Sequence, residues 1–91
     1  MSDAHHMTLY FSGRVQGVGF RYAVMQVAKG FEVAGFVTNL PDGRVLVEAE
    51  GGMAELEAFA AAIEQSMEGY IRKVDRSHRE RTPQFEGFTI K

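Results

Sequence analysis

The chain has 91 residues, 45% of them hydrophobic, with no cysteine and a formal net charge of −2. That length makes one small domain, and the missing cysteines remove disulfide frameworks, thiolate chemistry and cysteine-based zinc sites together. The slightly negative balance argues against a general polyanion binder, and no apolar run reaches the ~20 residues a membrane-spanning helix requires.

Residues 1–6 are polar and read as a flexible leader, with His5 and His6 part of it and not metal ligands. No charged-then-apolar signal segment is expected. The domain is set at residues 7–91. Met7 to Ser12 places Met7, Leu9 and Phe11 on one face, which predicts a first strand. The strand runs into Gly13-Arg14-Val15-Gln16-Gly17-Val18-Gly19-Phe20-Arg21, nine residues with three glycines and two arginines. Glycines let successive N–H groups converge on one point, and a helix starting at the loop's end adds its positive dipole terminus. Arg21, in the first helical turn, can grip phosphate oxygens through its planar fork. A phosphate-sized anion cradle is one reading, and a tight strand-to-helix turn is the other. The stretch is neither a Walker A loop nor a dinucleotide fingerprint.

From Phe20 the period becomes helical: Phe20, Ala23, Val24, Val27 and Ala28 form one apolar stripe. Gly30 is expected to stop the helix in the left-handed conformation. Phe31 to Asn39 is rich in strand formers and ends at Leu40-Pro41-Asp42-Gly43, a turn signal. Arg44 to Glu50 alternates, with Val45, Val47 and Ala49 inward and Arg44, Glu48 and Glu50 outward; Leu46 is the apolar exception on the outer side.

After Gly51-Gly52 a second helix is predicted over Met53 to Met67, its stripe formed by Leu56, Phe59, Ala60, Ile63 and Met67. Tyr70 to about His78 reads as a charged strand suited to a sheet edge. Pro83 breaks the chain, and Phe85 to Ile90 closes it as a short last strand. The order strand-helix-strand-strand-helix-strand predicts an α+β, ferredoxin-like βαββαβ sandwich. Its antiparallel sheet carries two helices on one face and a short extra C-terminal strand. Such a fold brings Asn39, late in the second strand, toward the glycine loop; its neutral amide can orient a water without repelling an anion. A plain turn role for Asn39 stays open.

Two stretches together carry a family resemblance. Gly13 through Arg21 resembles the first signature of the acylphosphatase family, and Gly35-Phe36-Val37-Thr38-Asn39 with Gly43-Arg44-Val45 and Gly51 resembles the second. The likeness runs from about Met7 to Lys91. It implies an acylphosphatase, a small enzyme that hydrolyses acyl phosphates to a carboxylate and inorganic phosphate without cofactor or metal. By position, Arg21 matches the catalytic phosphate-binding arginine and Asn39 the asparagine that positions the attacking water. Arg14, Val15, Gln16, Gly17, Val18 and Gly19 match the loop whose backbone amides hold the phosphate. Thr38 departs from the pattern, standing where many relatives carry a basic or longer polar residue.

The implied partners are a small-molecule acyl phosphate and inorganic phosphate, the latter as product and competitive inhibitor, with no membrane involved. A cytoplasmic monomer is the expectation, consistent with cysteine-free packing. The alternative is an accessory ferredoxin-like module that binds a phosphorylated ligand or nucleic acid through the basic Tyr70–Thr82 segment. Nucleic acid is the less favoured partner, because no exposed aromatic pattern of an RNA-binding sheet is evident.

Overall fold

The computed structural model describes residues 4–91. In chain order the elements are β1 (Ala4–Gly13), α1 (Phe20–Ala28), β2 (Val33–Asn39), β3 (Val45–Gly51), α2 (Met53–Ser66), β4 (Ile71–Arg81) and β5 (Phe88–Ile90). They build one sheet in the order β4-β1-β3-β2-β5. The first four strands have the antiparallel ferredoxin-like arrangement expected from right-handed crossovers.

The short extra C-terminal strand is present and pairs in parallel: β5 lies along β2, Gly35 facing Phe88 and Val37 facing Ile90. The cause is directional. β4 lies at one edge and points opposite to β2, so a chain that crosses to the other edge and reverses must run along β2. The sheet is therefore mixed, and β4 is the charged edge strand, reaching Arg81 instead of ending near His78.

Alternation decides which face is covered. Met7, Leu9 and Phe11 of β1, Val37 of β2 and Val45, Val47 and Ala49 of β3 are buried against the helices. Phe20, Val24 and Ala28 of α1 and Leu56, Phe59, Ala60 and Ile63 of α2 close that core. The ring centroids of Phe11 and Phe20 are 5.1 Å apart, and Phe59 meets Phe88 edge-on at 5.5 Å. Tilted contacts of this kind add to area burial. The other face stays open except where 82–87 crosses it.

Two local expectations fail for physical reasons. Of the expected leader, Met1 to Asp3 lie outside the described residues, while Ala4, His5 and His6 belong to β1. Both neighbouring strands extend that far, His6 standing opposite Glu50 on one side and Arg79 on the other, so the backbone ladder continues despite the polar side chains. His6 is buried, its Nε2 2.9 Å from Glu48 Oε1. Gly30, in turn, has no positive φ. α1 ends instead in tightened turns, with Lys29, Gly30 and Phe31 N–H donating to the oxygens of Gln26, Val27 and Ala28.

Candidate active site

β1 ends in a bulge between Ser12 and Gly13, and the next amide leaves the ladder: Arg14 N–H donates to Tyr70 O at 2.9 Å. The chain then passes through 15–19 and enters α1, whose N-cap, Gly19, is left-handed at φ 79°. Gly17 is left-handed as well, at φ 77°. These are backbone states that glycine occupies without the Cβ penalty.

Between these anchors the loop amides are uncommitted. The main-chain N–H groups of Val15 through Gly19 donate to no protein acceptor among the described residues. The first turn of α1 adds more unpaired N–H groups, since no side chain caps it and it holds no acidic residue. α2 is the contrast: Glu55 stands in its first turn and accepts the Glu32 N–H at 2.7 Å. The N-terminus of α1 is thus left electropositive, as an anion site requires.

A pocket of about 250 Å³ opens there, lined by Val15, Gly17, Gly19, Phe20, Arg21, Tyr22, Asn39 and Ile90. It joins the loop, α1, the end of β2 and β5. Arg21 is exposed, and its Nη1 donates to Lys91 O at 3.2 Å, which leaves the rest of its fork available. Asn39 Oδ1 is buried without a hydrogen-bond partner. An orphaned buried acceptor costs about 1–3 kcal/mol, so this amide is under-satisfied beside the pocket that Asn39 lines.

Not every residue matched by resemblance lines this pocket. Arg21, Asn39, Val15, Gly17 and Gly19 do; Arg14, Gln16 and Val18 do not. The Arg14 amide is spent on Tyr70, so the run of free amides begins at Val15. The Val18 side chain packs on the core. The Gln16 side chain does something its sequence position did not reveal: Nε2 donates to Leu40 O at 2.8 Å and Arg44 O at 3.0 Å. It latches the loop to the β2–β3 turn next to Asn39. Ile90 and the Lys91 oxygen are likewise contributions from the far end of the chain, visible only once β5 docks beside β2. Thr38 alternates with Asn39 and so projects to the opposite face of the sheet, which separates its departure from the pocket.

Comparison with known proteins identifies the family. The acylphosphatase family model matches residues 7–90. An acylphosphatase of Methanospirillum hungatei is 44% identical over 66 residues, 72% of each chain. One of Thermotoga maritima is 41% identical over 80 residues, 87% of this chain and 88% of its own. The crystal structure of the Bacillus subtilis acylphosphatase superposes with a TM-score of 0.86 at 30% identity, covering 96% of this chain and 98% of that one. With a family match spanning nearly all of the fold and the pocket in place at the strand-to-helix loop, this chain belongs to the acylphosphatase family.

Proposed function

We propose that this protein is an acylphosphatase that hydrolyses carboxylic–phosphoric mixed anhydrides without a metal ion, acting as a cytoplasmic monomer. The observation that carries the reading is the meeting, in one pocket, of a loop with uncommitted amides, Arg21 and Asn39. The amides of Val15 through Gly19, the N-terminus of α1 and the Arg21 guanidinium hold the phosphoryl oxygens. The Asn39 side-chain amide holds a water for in-line attack on phosphorus. The water oxygen–phosphorus bond forms as the bond from phosphorus to the acyl oxygen breaks. The carboxylate leaves with that electron pair, and a phosphate oxygen takes the water's proton.

Little more is required of the protein. A carboxylate is a good leaving group, so positioning and charge stabilisation supply most of the catalysis. Donors aimed at the equatorial oxygens are worth more in the transition state as charge accumulates there. The basic segment after Tyr70 does not favour nucleic acid. Arg76 pairs with Glu57 at 2.7 Å, Arg81 with Glu50 at 3.4 Å and Lys73 with Asp75 at 3.7 Å, so much of its charge is answered within the protein.

The test is hydrolysis of benzoyl phosphate in EDTA, with inorganic phosphate as competitor. Turnover unaffected by EDTA and inhibited competitively by phosphate is expected. No turnover, or turnover abolished by EDTA, would sink the proposal.

A further inference from the structure

Glu50 faces away from the helices on β3, yet it is only 4% exposed. The segment 82–87 covers it. Glu50 Oε1 accepts the N–H groups of Gln84 at 2.8 Å and Phe85 at 2.9 Å. Its Oε2 accepts Gln84 N–H at 3.0 Å and Arg81 Nε at 3.4 Å. Burying a carboxylate is expensive unless donors satisfy it, and here two consecutive amides and a guanidinium do so. The Phe85 ring is thereby set between His6, 6.3 Å away, and the edge of Phe36, 5.7 Å away. A surface strand position needs none of this, so Glu50 acts as a staple for 82–87.

What lies downstream gives the staple a use. Five residues after Phe85 the chain reaches Ile90, which walls the pocket, and the next oxygen is Lys91 O. That oxygen is the acceptor for the Arg21 guanidinium among the described residues. β5 has only 3 residues and one strand partner. Its other ties include Gly35 N–H to Gly87 O at 2.9 Å, Lys91 N–H to Val37 O at 2.8 Å, the Lys91 ammonium over the Phe36 ring at 4.1 Å, the Phe88 ring on Phe59 and packing against α1. A strand this short depends on how the chain is delivered to it.

We propose that Glu50 is a positioning residue for the phosphate site: by stapling 84–85 it sets β5, and through the Lys91 oxygen it aims Arg21. This rests on Arg21 binding the phosphoryl group. The buried Glu50 carboxylate has its charge answered by the Arg81 guanidinium and two amides. The effect is therefore assigned to geometry and not to the charge of Glu50.

Three substitutions separate geometry from charge. Glu50→Gln keeps an acceptor oxygen within reach of both amides and loses the charge. Glu50→Asp keeps the charge and withdraws the acceptor by one methylene. Glu50→Ala removes both. In folded protein, kcat/KM for benzoyl phosphate should fall roughly 10- to 100-fold in Glu50→Ala, since a small misplacement of a catalytic group has effects of this size. The Asp variant should be impaired more than the Gln variant. In an Arg21→Ala background the three changes should each alter kcat/KM by no more than about 2-fold, the scatter of independent sites.

Equal losses with and without Arg21, a Gln variant worse than the Asp variant, or a folded Glu50→Ala with full activity would each overturn the proposal. If Glu50→Ala does not fold, the Gln and Asp pair reads the same cycle. A wild-type protein that neither hydrolyses benzoyl phosphate nor binds phosphate defeats the functional reading itself, and this proposal with it. Normal wild-type turnover with the wrong pattern in the Glu50 series defeats this proposal alone.

Discussion

The loop at 14–19 and the turn at 40–43 are made from similar material and lie side by side, latched by Gln16. Each carries glycine at positive φ: Gly17 and Gly19 at 77° and 79°, Gly43 at 97°. The difference is where the amides go. In the turn, Leu40 N–H donates to Arg44 O, Gly43 N–H to Leu40 O and Arg44 N–H to Asp42 Oδ1, at 2.8, 3.1 and 3.0 Å. The main chain of the loop bonds only at its ends and leaves the N–H groups of Val15 through Gly19 without a protein acceptor among the described residues. Glycine content therefore does not separate a binding loop from a structural turn. The destination of each N–H does, because a polar group left unpaired by its own protein has to be met by something else.

The comparison breaks if groups on the loop side prove dispensable. Arg21→Ala should lower kcat/KM for benzoyl phosphate by ~10²–10³, the usual loss for one oxyanion-type donor. Arg21→Lys should also be poor, since a point charge cannot reproduce the fork. Near-normal turnover in either variant removes Arg21 from the chemistry. Asn39→Ala should reduce kcat roughly 10- to 100-fold through a misplaced water. Competitive inhibition by inorganic phosphate should barely change, and an equal collapse of phosphate affinity would make Asn39 a binding residue instead.

A matched pair of glycine substitutions sharpens the contrast. A Cβ at Gly17 or at Gly43 would meet no atom within 4 Å, so alanine at either position suffers only the backbone penalty. Urea unfolding should show a loss of ~1–2 kcal/mol in both Gly17→Ala and Gly43→Ala. Only Gly17→Ala should also lower kcat/KM; an equal loss of activity in both would erase the distinction between loop and turn. The smallest effect belongs to Asp42. The Arg44 N–H, then the Arg44 side chain, hold its carboxyl below the ordinary 3.8. A depressed carboxylate contributes stability above its unfolded pKa and loses it as pH falls through the folded value. Wild type and Asp42→Asn should therefore differ slightly in unfolding midpoint at neutral pH and converge as pH drops below about 4. A gap that widens in acid would contradict the sign.

The helix-covered face was legible because each inward residue announces itself by period. Phe20 and Val24 recur at helical spacing, Val45 and Val47 at strand spacing, and all four are buried. The glycine loop and Asn39 were legible because local chemistry and family resemblance both point to them. Other features depend on partners far along the chain. Glu50 reads as an outward strand residue until 82–87 folds over it, and His6 reads as leader until Glu48 meets it. The parallel direction of β5 follows from where the chain crosses the sheet, a global property that no short window contains. The Gln16 latch spans 24 residues to Leu40, and its side chain carries no periodic signature.

The contact between Arg21 and Lys91 bears on time as well as on place. It closes a separation of 70 residues, the longest among the side-chain hydrogen bonds given for the described residues, and it depends on the last strand finding the sheet. Closing so long a loop carries an entropic cost that few local contacts offset, so such pairings form late. Catalytic competence should therefore be among the last properties to appear during refolding. Helix signals are expected to recover first, and acyl phosphate hydrolysis only once β5 has docked. In a freshly made chain the fold precedes the enzyme.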